Sequence, residues 1–256
     1  MTIPVDYDGL DLQAGNYRVT RLDVYSAAPR SLQNESLAKQ DGSLTVYTKY
    51  EAKQILVEGQ IKANTQSSLE IAIDTLKTAL NKFERKLTIG YRSGERVFIC
   101  TQSNVSVTRD RGGSTYANYS IEFFSPQPFG IDEDDQTFID TTTTLGSTTF
   151  SINNQGSYKA EPVITITLDG LESAEGAQFS LGNPVLSQRV ILANNWVDGD
   201  TIVIDCLEKQ VFINGILSNF SGRIPEWSPG TGSVEWVDSF TGRSVSINAQ
   251  YQRKYL

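Results

Sequence analysis

A strictly alternating stretch in the second half of the chain decides the fold: Pro162-Val163-Ile164-Thr165-Ile166-Thr167-Leu168. In an extended chain Ile164, Ile166 and Leu168 fall on one face, and the two threonines fall on the other. This period of two is typical of a β-strand that has one face in a core and the other in water. The stretch therefore predicts a half-buried strand.

Further short strands are predicted on the C-terminal side of this stretch. They cover residues 177–181, 188–192, 201–205, 210–213, 233–237 and 244–251. Asn214-Gly215 is a strong signal for a type I′ turn that leads into Ile216-Leu217. Strands of this length and spacing predict a jelly-roll β-sandwich over residues 151–256.

The first half combines strands with one amphipathic helix. Strands are predicted over residues 17–25, 43–50, 55–61, 88–91, 96–100, 104–109 and 116–124, with a tight turn at Asp110-Arg111-Gly112-Gly113. A helix is predicted over residues 69–82, with Ser67 and Glu70 as its capping box. Its apolar stripe has helical spacing and consists of Leu69, Ala72, Ile73, Leu76, Ala79, Leu80 and Phe83. A single helix among strands cannot bury its stripe alone, so it is predicted to lie across a sheet of residues 1–130 or against a neighbouring subunit.

The composition changes after Pro126-Gln127-Pro128-Phe129-Gly130. Residues 132–135 are all acidic, and residues 141–144 are all threonine. This change predicts a linker over residues 131–150, although threonine also favours extended strands.

Composition excludes several classes of function. The chain has 256 residues, enough for one large or two ordinary domains, and it contains no histidine. Without histidine, Ser-His-Asp and Cys-His triads cannot form within the chain, and most zinc sites are also excluded. The two cysteines, Cys100 and Cys206, lie far apart and are predicted to be reduced. We therefore expect no enzyme activity and no cofactor.

The charge of the chain is unevenly distributed. Its net charge is −8, of which residues 1–130 carry about +1 and residues 131–256 about −9. An acidic chain without a basic stripe is a poor nucleic-acid binder, since phosphate neutralisation supplies most of that affinity. No apolar run approaches the roughly 20 residues that span a bilayer, and no signal peptide is visible. We expect a soluble protein made in a cytoplasm, without specific nucleic-acid binding or membrane insertion.

A few residues could carry a binding or catalytic function. Trp196 and Trp227 could stack on sugars, but core or turn packing is favoured for both, as it is for Trp236. Asp198-Gly199-Asp200 and residues 132–135 could offer oxygen ligands to calcium, yet neither matches a calcium-binding loop. A glycosidase would need a carboxylate pair, for which Asp169, Glu172, Glu226 and Glu235 are available without any reason to pair two of them.

Several turns and strands of the second half follow one another in a recognisable order. An Asn-x-Gly turn leads through Ala160-Glu161-Pro162 into the alternating strand, and Gly199 to Asp205 precedes Gln210 to Gly215. A closing Pro-Gly turn, Ile224 to Gly230, then leads into Ser233-Val234-Glu235-Trp236. Over roughly residues 150–250 this order resembles the distal tail protein family of long-tailed bacteriophages. The first half, residues 1–130, resembles the family's ring-forming domain through its architecture, which implies a β-sandwich flanked by one helix.

The resemblance implies a structural virion protein at the tail tip, assembled in the host cytoplasm. Its copies would form a hexameric ring that joins the tail tube to the tip or baseplate and lets DNA pass. The implied partners are other copies of the chain, the tail tube protein and tail-tip proteins. The second domain would be a galectin-like or carbohydrate-binding-module-like sandwich. The alternative function is a phage tail protein that binds carbohydrate or a receptor through this domain.

Overall fold

The computed structural model describes residues 3–36, 43–109, 111, 114–172 and 176–256. The chain divides into two compact units, one reaching Glu133 together with Leu256, and the other spanning Asp134–Tyr255. The described residues contain no helix that is long and apolar enough to cross a membrane. Nearly all regular structure is β-strand, so the mainly β fold class is confirmed.

The described residues of the first unit form ten strands and one helix. The strands are β1 (Val5–Tyr7), β2 (Leu10–Asp11), β3 (Tyr17–Asp23), β4 (Arg30–Ser36), β5 (Ser43–Tyr50), β6 (Lys53–Lys62), β7 (Arg85–Tyr91), β8 (Gly94–Thr108), β9 (Tyr116–Ser125) and β10 (Gly130–Ile131). Helix α1 (Gln66–Leu80) follows β6. The main sheet has the order β2-β1-β7-β8-β9-β6-β3, all antiparallel, with β10 beside β8. Strands β4 and β5 form a separate two-stranded sheet.

One long strand replaces two that the sequence predicts separately. Strand β8 covers both predicted segments, and its register with β9 shifts between Gln102 and Asn104. A bulge of this kind adds one residue to a strand and breaks the alternation of its side chains. This break is the reason why the pattern indicates two short strands.

Helix α1 buries its apolar stripe in the core of the first unit. Leu69, Leu76 and Leu80 are fully buried there together with strand residues such as Ile61 and Ile121. The stripe repeats every three or four residues, which places these side chains on one face of the helix. The predicted stripe is therefore confirmed for Leu69, Ala72, Ile73, Leu76 and Leu80, whereas Ala79 is only partly buried and borders the outer side of the helix.

Both ends of the predicted helix need correction. The N-cap is Thr65, whose Oγ1 accepts the N–H of Ser68, while the Ser68 hydroxyl oxygen accepts the N–H of Thr65. The predicted pair of Ser67 and Glu70 was wrong, because serine at the third position forms the reciprocal bond as well as glutamate does. Phe83 lies beyond the helix end and is 71% exposed, so it does not belong to the buried stripe.

The second unit is a sandwich of two antiparallel sheets. Its strands are β11 (Gln136–Thr143), β12 (Ser147–Asn154), β13 (Val163–Asp169), β14 (Gln178–Asn183), β15 (Gln188–Ala193), β16 (Thr201–Asp205), β17 (Gln210–Ile213), β18 (Ile216–Leu217), β19 (Ser221–Gly222), β20 (Gly230–Asp238), β21 (Ser244–Tyr251) and β22 (Lys254–Tyr255). One sheet has the order β11-β21-β13-β16-β17-β18, and the other has the order β12-β20-β14-β15-β19.

The core of the sandwich lies between inward-facing side chains of both sheets. Ile164, Ile166 and Leu168 of β13 are completely buried, as the alternation predicts. Trp236 of the opposite sheet is also completely buried, and its ring stacks on Phe179 at 4.6 Å. The two sheets thus share a single core, as the sandwich prediction requires.

The predicted turn at Asn214-Gly215 joins β17 to β18. Asn214 has φ 51° and Gly215 has φ 78°, and a type I′ turn needs positive φ at both central residues. The Asn214 Oδ1 atom accepts the Thr201 N–H at 3.0 Å, which ties the turn to the start of β16. Here the local sequence determines the register of the hairpin.

The stretch predicted as a linker, residues 131–150, contributes strands to the second unit. Strand β11 pairs with β21, and β12 pairs with β20. Threonines 141–143 lie within β11, where their branched side chains favour extended backbone. The division between the units therefore falls at Glu133, within the acidic run that separates β10 from β11, and the threonine run belongs to an edge strand rather than to a linker.

Four strands of the first unit have no counterpart in the sequence prediction: β1, β2, β4 and β10. Strands β1, β2 and β10 have only two or three residues, too few to show a period. Strand β4 reads Arg-Ser-Leu-Gln-Asn-Glu-Ser and has almost no apolar residues to alternate. The turn predicted at residues 110–113 lies largely outside the described residues.

Candidate assembly surfaces

The tryptophans that could stack on sugars are buried in the second unit. Trp196 is 5% exposed, lies 5.3 Å from the ring of Phe179, and donates its indole N–H to the Ala177 carbonyl. Trp227 is 2% exposed and donates its indole N–H to the Ser233 carbonyl at 3.3 Å. Sugar stacking needs an open indole face, so both positions favour the packing interpretation.

Two of the four carboxylates that could serve a glycosidase are engaged by cations. Glu226 accepts from the Lys159 ammonium at 2.5 Å, and Glu235 pairs with Arg189 across strand β14, which lies between their two strands. Both carboxylates are therefore tied to a partner on the surface of the sandwich. Their geometry favours a structural role.

The aspartates of the 198–200 turn accept hydrogen bonds from their own loop region. Asp198 accepts the Leu171 N–H, and Asp200 accepts both the Val197 N–H and the Asn214 amide. These bonds occupy the oxygen atoms that a cation would need. Within the described part of the chain, no cluster of three or more acidic or cysteine side chains could hold a metal ion.

The two cysteines are free thiols in separate cores. Burial raises the pKa of Cys100 to about 12, and burial also raises the pKa of Cys206. Only the thiolate is a nucleophile, so both groups are unreactive near neutral pH. Both therefore act as small apolar side chains.

A polar face covers one side of the first unit's sheet. The registers of β8, β9, β6 and β3 place three cross-strand rows on it: Thr108–Asn118–Gln60–Arg18, Ser106–Ser120–Glu58–Arg21 and Asn104–Glu122–Leu56–Asp23. The rows contain two cationic and three carboxylate side chains, and Arg21 pairs with Glu58 at 3.4 Å. The opposite face of the same strands packs into the core. We call these three rows the polar face.

A second surface is the hairpin formed by β4 and β5. The two strands pair only with each other in the described part of the chain. Leu32, Val46 and Tyr47 are 58%, 52% and 52% exposed, so neither side of the hairpin is covered. An isolated two-stranded hairpin is marginally stable in water, and this one would gain stability from another surface.

Open strand edges complete the set of candidate surfaces. Strand β3 ends the path of the main sheet, and β18 ends the six-stranded sheet of the second unit. Ile216 and Leu217 of β18 are 71% and 62% exposed. Unpaired edges are sites where another strand can add, and native proteins cover or shorten them. These features belong to surfaces for assembly rather than to a reactive pocket.

The fold defines a class: a two-unit, mainly β protein with a helix-flanked sheet and a separate sandwich. The same architecture occurs in the crystal structure of the SPP1 Dit protein, a paradigm of the hub adsorption apparatus in phages that infect Gram-positive bacteria. The two chains align over 100% of both lengths with a TM-score of 0.72 and 15% identity. The resemblance indicated by the sequence motifs is therefore confirmed at the level of the fold.

Two further structures align over nearly the whole chain with lower similarity. They are phage P2 baseplate structures in the activated conformation, one with calcium and one with strontium, at TM-scores of 0.46 and 0.45. Their identities to this chain are 9% and 8%, with 97–99% of this chain and 97–98% of theirs covered. No family model and no curated protein matches the sequence.

Proposed function

We propose that this chain is a structural hub protein of a long-tailed phage. Its copies form a closed hexameric ring at the tail tip, which joins the tail tube to the tip or baseplate and leaves a channel for DNA. The observation that carries the proposal is the full-length match in fold to a hub protein of the adsorption apparatus. In this function the chain is not an enzyme and needs no cofactor.

The surfaces of the first unit support a ring. An uncovered hairpin and an open edge strand are sites where copies of the chain can pack together. Both belong to the unit that the sequence predicts to form the ring. The remaining partners are the tail tube protein on one side and tail-tip proteins on the other.

The polar face supports a channel through which DNA passes. Half of its twelve side chains are neutral amides and hydroxyls, and its charges nearly cancel. DNA is held mainly by cations that neutralise its phosphates, so a near-neutral polar wall would let it slide. We assign this face to the channel wall of the ring. The ring is assembled in the host cytoplasm and remains in the virion.

Negative-stain imaging of the purified full-length chain tests the proposal. We expect closed rings with a central opening wide enough for duplex DNA, about 20 Å given the groove and backbone dimensions of the duplex. The matched control is the Arg21→Gln variant of the polar face, which should form rings of the same diameter. Isolated single copies that turn over a cell-wall polysaccharide would overturn the proposal.

Carbohydrate binding by the second unit is the second candidate function. The outer face of its six-stranded sheet has a shallow groove of about 410 Å³, lined mainly by hydroxyl and amide side chains together with the carboxylate of Asp140. Asp140, Asn248 and Thr165 lie side by side across three strands of this face. A glycan array tests it: a specific signal that disappears in Asn248→Ala and persists in Gln210→Ala would favour sugar binding.

A further inference from the structure

We propose that the β4–β5 hairpin of one copy docks on the outer surface of helix α1 in a neighbouring copy. Tyr47 and Glu35 are the contacts on the hairpin, and Ile71 and Arg109 are the contacts on the acceptor. The inference rests on the proposed ring and names the contact that closes it.

The hairpin presents one face suited to docking. Gln33 lies opposite Tyr47 in the register, and Glu35 follows two residues later on the same face of β4. Lys49 lies two residues from Tyr47 on this face. Tyrosine is enriched at the centres of interfaces because it combines a large apolar ring with a polar tip. The face therefore has an aromatic anchor between an acidic and a basic side chain.

The acceptor is the outer side of helix α1. Ile71 is 65% exposed and lines a shallow, largely apolar surface with Thr75, Thr78 and Ala79. These positions lie four, seven and eight residues after Ile71, so they form one stripe along the helix. The stripe is opposite to the one in the core, and the described residues of the same chain leave it uncovered.

Arg109 lies beside this stripe and has two nitrogen atoms without an acceptor. Its Nη1 atom forms an ion pair with Glu70 at 3.3 Å, while Nε and Nη2 are buried without an acceptor among the described residues. A buried donor without a partner costs free energy, and a carboxylate can accept two parallel bonds from a guanidinium. Arg109 lines a surface with Asp74, which also borders the stripe of Ile71. A carboxylate that draws the partly exposed Arg109 side chain outward would remove this cost.

A second copy of the chain is the occupant that fits both surfaces. Glu35 supplies the carboxylate for Arg109, Tyr47 covers Ile71, and Lys49 matches Asp74 in charge. Each copy offers one hairpin and one helix surface, so the contact is head-to-tail. Contacts of this kind generate closed rings when the rotation between copies is correct, which agrees with the proposed assembly.

Mixing two defective variants tests the inference by sedimentation velocity. Tyr47→Asp removes the contact on the hairpin, and Ile71→Asp removes the contact on the helix. Each variant should fold, because both side chains are exposed. We expect each variant alone to associate at least tenfold more weakly than the wild type. An equimolar mixture should form one-to-one pairs and nothing larger. The only intact contact in it joins the hairpin of the Ile71→Asp variant to the helix of the Tyr47→Asp variant. Val185→Asp, at an exposed site of the second unit, should assemble like the wild type.

Disulfide trapping extends the test to association that is too weak to detect by sedimentation. In the Tyr47→Cys, Ile71→Cys double variant, mild oxidation should give a ladder of disulfide-linked multimers, since both native thiols are buried. If both aspartate variants formed rings of the same size as the wild type, this would overturn the docking contact and leave the hub function intact. A mixture that stays monomeric, or a double variant without a ladder, would also overturn the contact. An absence of rings in images of the wild type would instead contradict the hub function itself.

Discussion

Two hairpins of the chain differ in how much support they receive from neighbouring strands and from a core. The hairpin of β16 and β17 lies inside a six-stranded sheet, where Ile202, Ile204 and Val211 are completely buried. The hairpin of β4 and β5 pairs with nothing else and exposes apolar side chains on both sides. The first is stabilised by its own unit. The second exposes the kind of apolar surface that another chain can cover.

The largest expected effect is in the buried hairpin. Ile204→Ala leaves a cavity in the sandwich core, and we expect the free energy of unfolding to fall by about 2–5 kcal/mol. All three tryptophans lie in the second unit, so their fluorescence during urea unfolding reports this unit alone. An effect below about 1 kcal/mol would show that this hairpin is not supported by the core.

The ion network at the end of the sandwich gives the next effect. Burial alone would raise the pKa of Glu161, but the hydrogen bonds and charges of Lys254 and Lys159 hold it below its ordinary value. A carboxylate of this kind stabilises the fold fully above its unfolded pKa of about 4.3, and the contribution disappears as pH falls through the lower folded pKa. At pH 7 we expect Glu161→Gln to cost about 1–3 kcal/mol.

Acidification provides the control for this network. Below the unfolded pKa of about 4.3 the difference between wild type and Glu161→Gln should shrink, because the unfolded wild-type carboxylate takes up a proton before the folded one does. Glu208→Gln, on the exposed turn between β16 and β17, should leave the stability unchanged at both pH values. A constant difference between pH 7 and pH 3 would mean that packing rather than charge explains the loss.

A smaller effect is expected at the start of the helix. Thr65→Ala removes the observed cap of α1, and we expect a loss of about 1 kcal/mol in the first unit. Ser67→Ala, at the cap predicted from the sequence, should change the stability by less than about 0.5 kcal/mol. Hydrogen exchange of the α1 amides measures both, and a larger effect at Ser67 would favour the sequence-based cap.

The smallest effect is expected in the uncovered hairpin. Leu32→Ala should change the stability of the single chain by less than about 0.5 kcal/mol, because its side chain is already in contact with water. Hydrogen exchange of β4 and β5 amides in dilute protein should show little protection in either form. A loss comparable to that of Ile204→Ala would remove the contrast between the two hairpins.

Periodicity allowed much of the fold to be predicted where one face of a strand is buried. Strands β16, β17 and β21 agree with the predicted bounds, since their apolar residues alternate and turn residues separate them. The same reasoning failed for β4, whose side chains are polar because no core lies beneath it. Pairing with β5 depends on the partner strand, which a local pattern does not reveal.

The candidate assembly surfaces depend on long-range register and were therefore harder to predict. The polar face joins residues of β3 and β8 that lie more than 80 positions apart in the sequence. The unsatisfied nitrogen atoms of Arg109 follow from its position beside α1, which no local motif encodes. One available signal was the adjacent pair Val46 and Tyr47, which places apolar groups on both sides of an extended segment.

The light-scattering mass of the wild-type chain at increasing concentration tests the central claim most directly. A ring-forming hub predicts a plateau at about 170 kDa, six copies of a 28.3 kDa chain. A mass that remains at 28.3 kDa up to millimolar concentration would contradict it.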